Sequence, residues 1–382
     1  MPPPAKPITK DACQVKQPQD MSLSARVRRH GEVAGALASY DDRRLGEALE
    51  RARPLGKGIG GTSVLLDVGG VPVFAKRIPL TDLERRAGNE RSTANLFGMP
   101  AFCQYGLTAV GSAGFGAWRE LAAGEMTTEW VLTGRSAAFP LLHHWRVLPG
   151  APPAADEHAD VEAAVRYWEG SAAVRERLHA LARASASLVL FQEFIPHSLD
   201  TWLSAQLAAG RDAATAAGAM IESCLLADVT FMNGQGLMHF DGHFGNLLTD
   251  GERLYLTDFG LATSSRFDLS EQEIDFLGRN RTHDAGYALM RLVNWLVTAF
   301  CGVTAPPERN AFVRACAAGA QPAGTPPSLA GTISRYAPVA ALVNDFYWDL
   351  YGTSRTTPYP DERIERAMNA LQGREAGGWG AR

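Results

Sequence analysis

The chain has 382 residues, 46% of them hydrophobic and 20% charged, enough apolar material for one large core or several smaller ones. A formal net charge of -4 supplies no basic excess for nucleic acid or an anionic membrane, so neither is an expected partner. The five cysteines (Cys13, Cys103, Cys224, Cys301 and Cys316) have neither metal-ligand nor redox spacing, and a reducing, cytoplasmic setting is expected. In chain order, residues 1–21 are rich in Pro, Lys and Gln and read as a disordered N-terminus rather than a secretory signal. Residues 22–55 read as a helical extension, with Ser39 or Asp41 as a cap. The period then changes to that of strands over Ser63 to Lys76, with a turn at Gly69-Gly70. Thr81 to Phe97 reads as a helix, and Gly106 to Leu132, mixing glycines with aromatic and β-branched residues, as further strands. Asp156 to Ala186 reads as an amphipathic helix or helix pair, and Leu188 to Ile195 as an apolar strand. Helices follow over Leu199 to Leu207, Ala214 to Met232 and Asp284 to Phe300, and the remainder to Leu371 is mostly helical. The apolar stretch Tyr287 to Ala305 carries Arg291 and Asn294, and reads as a buried helix rather than a membrane span. Strands first and helices later predict an α+β chain in two lobes.

The chemistry is concentrated in His239-Phe240-Asp241-Gly242-His243-Phe244-Gly245-Asn246, followed by Asp258-Phe259-Gly260 twelve residues after the asparagine. A strand, Arg253 to Thr257, is expected between the two motifs. Two carboxylates and a carboxamide at this spacing suit phosphoryl transfer: one Asp accepts the proton of an attacking hydroxyl, while an Asn and a second Asp hold magnesium on the phosphates. Upstream, Gly56-Lys57-Gly58-Ile59-Gly60-Gly61 fits G-x-G-x-x-G with a strand after it, where backbone amides can approach phosphate oxygens unobstructed. A dinucleotide-binding βαβ unit wants a strand before the glycines and a helix after; here a helix precedes and a strand follows. Lys76, 20 residues after Gly56, ends an apolar strand and needs a carboxylate partner, because an unpaired buried ammonium is costly. Glu84 and Glu90 are the candidates, and Glu90 is preferred.

The pattern H-x-D-x(4)-N followed by D-F-G resembles the protein kinase superfamily, over Gly56 to about Phe300. The resemblance implies a two-lobed protein-kinase-like fold, with a small antiparallel β lobe at residues 56–195 and a larger helical lobe at 196–382. It implies Asp241 as catalytic base, with His239 and His243 beside it in the catalytic loop. Asn246 and Asp258 become magnesium ligands, Lys76 the lysine on the ATP phosphates, and Gly56, Gly58, Gly61 and Glu90 parts of the nucleotide site. Leu190 to Pro196 is similar to the strand joining kinase lobes, where the backbone of Glu193 and Ile195 would bond the adenine edge. Asp284 resembles the aspartate that opens the central helix and braces the catalytic loop; an N-cap aspartate reads the same way.

Departures from the family pattern are specific. Phe240 stands where many kinases carry the arginine that reads an activation-loop phosphate, and no A-P-E motif lies in the 26-residue step from Asp258 to Asp284. About 100 residues separate Glu90 from Glu193, so an insertion is expected near 133–186. The H-x-D-x-H-x-x-N form is similar to aminoglycoside and choline phosphotransferases. The expectation is an ATP- and Mg2+-dependent protein serine/threonine kinase, with a small-molecule phosphotransferase and a nucleotide-binding pseudokinase scaffold as rivals. The hydroxyl-bearing acceptor, protein or small molecule, is not encoded in any motif.

Overall fold

Period-2 alternation along the first hairpin decides which side chains share a face. In the computed structural model, which describes residues 19–106 and 110–377, β1 (Arg53–Gly58), β2 (Gly61–Val68) and β3 (Val71–Leu80) run antiparallel in sequence order. The segment read as a disordered N-terminus lies, up to residue 18, outside the described residues. The sheet is completed by β4 (Leu142–Pro149) and β5 (Ala186–Glu193), giving five strands in the order β1-β2-β3-β5-β4. Lys76 sits opposite Ser63 on one side and Leu190 on the other.

On one face of this sheet, Leu66, Val68, Val73, Ala75, Val189 and Phe191 pack against α1 (Leu23–Ala38) and α2 (Asp42–Arg51). Ser22 caps the first of these helices, and Asp41 caps the second with a 2.7 Å bond from the Arg44 amide. On the other face, Ile78, Leu80, Leu188 and Leu190 pack against Ala117, Trp118 and Leu121 of α3 (Ala117–Leu132). Lys76, two residues before Ile78, therefore points to the α3 face.

Three local expectations are corrected. Residues 81–97 are turns, not a helix. Thr81 and Glu84 begin a capping-box arrangement, with the Thr81 amide and hydroxyl on Glu84 Oε2 at 2.9 and 2.6 Å. The buried Glu84 carboxylate then also takes the Ala117 amide at 2.8 Å and Arg177 at 3.1 Å, which turns the chain inward. Second, Gly106 to Leu132 has no strand among its described residues (107–109 lie outside them), and its second half is α3. The β-branched pair Thr127-Thr128 gave that stretch a strand-like look; in the helix the Thr127 hydroxyl bonds back to the Gly124 carbonyl at 3.1 Å. Third, β4 lies inside the range 133–186 read as an insertion. Between β3 and β4 the chain leaves the sheet over 81–141, which includes α3, and between β4 and β5 over 150–185, which carries α4 (Val161–Tyr167) and α5 (Ala172–Ala182). Met99, Cys103 and Phe115 of the first piece and Val165, Trp168 and Leu178 of the second share one apolar cluster.

The chain divides into two compact units. The first comprises Met1–Pro196 with His239–Asp241 and Tyr255–Ser270, and the second His197–Met238, Gly242–Leu254 and Glu271–Arg382. Short strands mark these passages: β6 (His197–Ser198), β7 (Leu237–Met238), β8 (Leu247–Thr249), β9 (Leu254–Leu256) and β10 (Thr263–Ser264). The second unit is largely helical: α6 (Leu199–Ala209), α7 (Arg211–Gly234), α8 (Glu271–Gly278), α9 (His283–Cys301), α10 (Pro306–Ala317), α11 (Pro327–Gly352) and α12 (Asp361–Gly377). In its core α9 packs on α7 and α11, and Asn294 and Asn344 exchange side-chain bonds of 2.9 and 3.1 Å between α9 and α11. By length and composition α7 could also cross a membrane, and α9 passes the same test only together with α10, across a 102° bend. The architecture is thus α+β, an N-terminal five-stranded antiparallel sheet followed by a helical region.

The N-terminal extension is fastened by a buried charge. Arg26 of α1 is fully buried; its Nη2 donates to the Glu193 carboxylate at 2.8 Å and to the Phe139 carbonyl at 2.5 Å, and its Nη1 to the Ala137 carbonyl at 2.8 Å. Removing one partner of such a pair leaves a buried charge uncompensated, at about 3–5 kcal/mol. Arg26→Ala should therefore lower the urea midpoint of the sheet unit by a loss of that order; a loss below about 1 kcal/mol would show that α1 is held by its apolar face alone.

Candidate functional site

A lysine on an apolar strand has to find charge partners, and Lys76 finds two. Its Nζ lies 2.7 Å from Glu120 Oε1 and 2.7 Å from Asp258 Oδ1, all within the sheet unit. The lysine is 8% exposed. Burial alone would lower its pKa, but the two carboxylates outweigh burial and raise it, so the ammonium stays charged. Burial, reinforced by the charge of Asp258, pushes Glu120 up to about 7 against the pull of Lys76. For Asp258 burial works upward, yet Lys76, His239 and the Gly260 amide together hold its carboxyl below the ordinary range.

Glu90, the preferred partner of Lys76, is exposed, and Glu84, the alternative, is committed to Thr81, Ala117 and Arg177. The pairing expected for Glu90 is corrected to Glu120. The reason is geometric: the helix that faces β3 begins at Ala117, and Glu120 sits in its first turn.

The glycine-rich segment forms the β1–β2 hairpin, with Gly58 paired to Gly61 and Gly56 to Ser63. A Cβ on Gly60 would stand 3.0 Å from Lys76 Nζ, and one on Gly61 (φ 127°) would collide with the Arg77 carbonyl. Close approach and positive φ thus require glycine at 61, a Cβ at Gly60 would crowd the Lys76 ammonium, and one at Gly58 would meet open space.

His239 is buried, with Nε2 2.9 Å from the Thr257 carbonyl and Nδ1 accepting from the Asp241 amide at 3.3 Å. These partners put the proton on Nε2. The imidazole therefore ties the backbone of Asp241 to the residue that precedes Asp258. Phe240 and Asp258 both adopt left-handed backbone, at φ 59° and 61°, a costly conformation for residues with side chains that concentrates at functional sites. In the second unit, the His243 carbonyl accepts the Asn246 amide at 2.8 Å and its Nδ1 accepts the Gly245 amide at 3.0 Å, which fixes the turn carrying Asn246. There too, Asp284 opens α9 and receives Asn233 Nδ2 at 2.8 Å.

Glu193 is not a plain strand residue. Its amide donates to the Leu141 carbonyl at 2.8 Å and its carboxylate is held by Arg26. The amide is thus spoken for within the sheet unit and is not available for the expected adenine contact. Ile195 follows, buried at 4% exposure. Among the described residues no group of three or more His, Cys, Asp or Glu side chains could hold a metal ion.

Sequence reasoning missed Glu120 and Arg26. A signal existed for Glu120, a carboxylate between Trp118 and Leu121 on the apolar side of a helix, but the segment looked like strands. Arg26 carried no signal, because one arginine among several in α1 looks solvated. No protein-family profile matches the chain, and no curated protein matches it.

If Lys76 and Glu120 interact as their geometry indicates, a double-mutant cycle (Lys76→Met, Glu120→Gln) should give a stability coupling of roughly 1–3 kcal/mol. The parallel cycle with Glu90→Gln should give none; a larger coupling to Glu90 would overturn the assignment.

Proposed function

We propose that the chain is an ATP-dependent phosphotransferase with a protein-kinase-like fold. The observation that supports this most is the ammonium of Lys76 shared between Glu120 and Asp258 beneath the glycines at 60 and 61. A buried structural ion pair needs one carboxylate. A second one, half open to solvent and held ionised, is what a phosphate–metal site needs.

In this reading Lys76 binds the nucleotide phosphates and Glu120 orients Lys76. Asp258 fits magnesium as an ionised oxygen donor, and Asn246 supplies a carboxamide oxygen by its place in the motif. Magnesium bound by one or two protein oxygens and by substrate phosphates needs no all-protein cage. When bound, the metal neutralises charge developing on the transferred phosphoryl. Asp241 accepts the proton of the acceptor hydroxyl as its oxygen forms a bond to the γ-phosphorus; the bond from that phosphorus to the bridging oxygen breaks, and ADP leaves with the electron pair. His239 holds the Asp241 backbone.

The acceptor proposed first is a serine or threonine hydroxyl on a protein. His243 and the short step from Asp258 to Asp284 favour a second reading, a small-molecule alcohol as in the aminoglycoside and choline phosphotransferases that the loop resembles.

Asp241→Asn should lower turnover by about 10²- to 10⁴-fold, the usual contribution of a positioned general base, with nucleotide affinity little changed. Asp258→Ala should abolish both turnover and the magnesium dependence of nucleotide binding. Calorimetric titration with ATP, with and without magnesium, alongside an ADP-release assay, measures both. Equal losses of affinity and rate in Asp241→Asn would make that residue structural instead.

A further inference from the structure

The helix that carries Glu120 also grips the chain after Asp258-Phe259-Gly260. Arg119, the neighbour of Glu120 in the first turn of α3, is 1% exposed. Its guanidinium lies over the Phe115 ring at 5.3 Å and over the Phe267 ring at 5.8 Å, and its Nε donates to the Thr93 carbonyl at 2.7 Å. Thr93 works in both directions, because its hydroxyl accepts the Asp268 amide at 2.9 Å. A turn at Ser264 brings Phe267 to Arg119: the Ser264 carbonyl accepts the Phe267 amide at 3.0 Å, and the Ser264 hydroxyl accepts the Arg266 amide at 3.2 Å. All of these residues belong to the sheet unit.

The stretch from Asp258 to Asp268 is therefore anchored to α3 at both ends. Asp258 reaches the helix through Lys76 and Glu120, with both contacts at 2.7 Å, while Phe267 and Asp268 reach it through Arg119 and Thr93. A loop closed in this way limits how far Asp258, with its left-handed backbone, can drift from Lys76. A phosphate set opposite an arginine can order such a segment. Here Thr263 is 3% and Ser264 0% exposed, which leaves Ser265 as the exposed hydroxyl between Leu261 and Asp268. The guanidinium of Arg119 is engaged by rings and backbone instead. We infer that Arg119 is a positioning residue for Asp258: with Thr93 it fastens the segment that follows Asp258, so the metal-binding side of the site is assembled without phosphorylation. The inference rests on the phosphotransferase reading, and deepens it by making this segment a fixed support rather than a phosphate-operated switch.

The test loosens this clamp at two points. Thr93→Val keeps the shape of the side chain and removes the acceptor for the Asp268 amide. Arg119→Lys keeps the charge and removes the Nε donor and the planar group over Phe267. Thr93→Val is the milder change, and it decides the outcome alone if Arg119→Lys does not fold. Two readings are taken on the full chain: hydrogen exchange of peptides covering 259–268, and calorimetric binding of the β,γ-imido analogue of ATP, which blocks transfer, across a magnesium series. Loss of one hydrogen bond should shift such an equilibrium by about two- to tenfold. The expected result is faster exchange and a rise of that size in the magnesium concentration at half-saturation, with metal-free affinity for the analogue unchanged because Lys76 keeps Glu120. Phosphatase treatment of wild type should alter neither reading. Faster exchange with an unchanged magnesium requirement would overturn the inference and leave phosphotransfer standing, since Asp258 would then hold its place without the clamp. An equal loss of metal-free affinity would also overturn it, by marking a general loosening of the site. Unchanged exchange in the variants, or a change in either reading on phosphatase treatment, would do the same, because Arg119 would not be the fastener. Wild-type protein that binds the analogue no better with magnesium than without would sink the phosphotransferase reading, and the inference with it.

Discussion

An ammonium buried on a strand is tolerable only beside opposite charge, and in this chain that constraint organises much of the sheet unit. Lys76 faces α3 because period-2 alternation sends it to the side of Ile78 and Leu80. The helix must therefore present a carboxylate within its first turn, and Glu120 does so. The second carboxylate, Asp258, has to be delivered to the same ammonium from far along the sequence. His239 assists by bonding both the Asp241 amide and the Thr257 carbonyl, so the stretch His239–Asp241 and the strand end before Asp258 are held together within the sheet unit. Two carboxylates around one ammonium leave excess negative charge. It falls unevenly: Glu120 is pushed toward neutrality, while Asp258 stays ionised and partly open to solvent. On the proposed reading, that asymmetry separates the residue that orients Lys76 from the one that meets metal.

Two further pieces of chain are built around this centre. The N-terminal extension covers the opposite face of the sheet, and through Arg26 it fixes the end of β5, the strand that precedes the passage into the second unit. Described residues before α3, among them Met99, Cys103 and Phe115, join Val165, Trp168 and Leu178 in a scaffold with an apolar cluster of its own. Glu84 joins that scaffold to α3, since one carboxylate receives the Ala117 amide at the helix N-terminus and the Arg177 guanidinium from α5. A carboxylate there also suits the helix dipole, so Glu84 serves the position of Glu120 without touching Lys76.

What the sequence made legible follows from locality. The hairpin through Gly69-Gly70, the cap at Asp41, the strand before Asp258 and the apolar helix after Asp284 all depend on neighbours within a few residues, and all are found where the patterns put them. The motif residues were identified by type and spacing, which local chemistry also dictates. The partner of Lys76 was not legible, because it depends on which helix reaches the sheet. Thr81 to Phe97 has helical composition but spends Glu84 on a tertiary network, and α3 carries β-branched residues that mimic a strand. Arg26 was invisible for the same reason: it owes its role to a partner more than 100 positions away in the chain, which residue type alone does not mark.

The central claim is that this site moves the γ-phosphoryl of ATP to a hydroxyl. The most direct measurement is to incubate the full chain with γ-labelled ATP and magnesium, with and without cell lysate, and to sort the label into nucleotide, protein and small-molecule fractions. The account predicts that label leaves the nucleotide pool with wild type and stays there with Asp258→Ala. Label in protein points to the first acceptor class and label in a small molecule to the second. Wild-type protein that binds ATP yet leaves all label on the nucleotide, with lysate present, would contradict it.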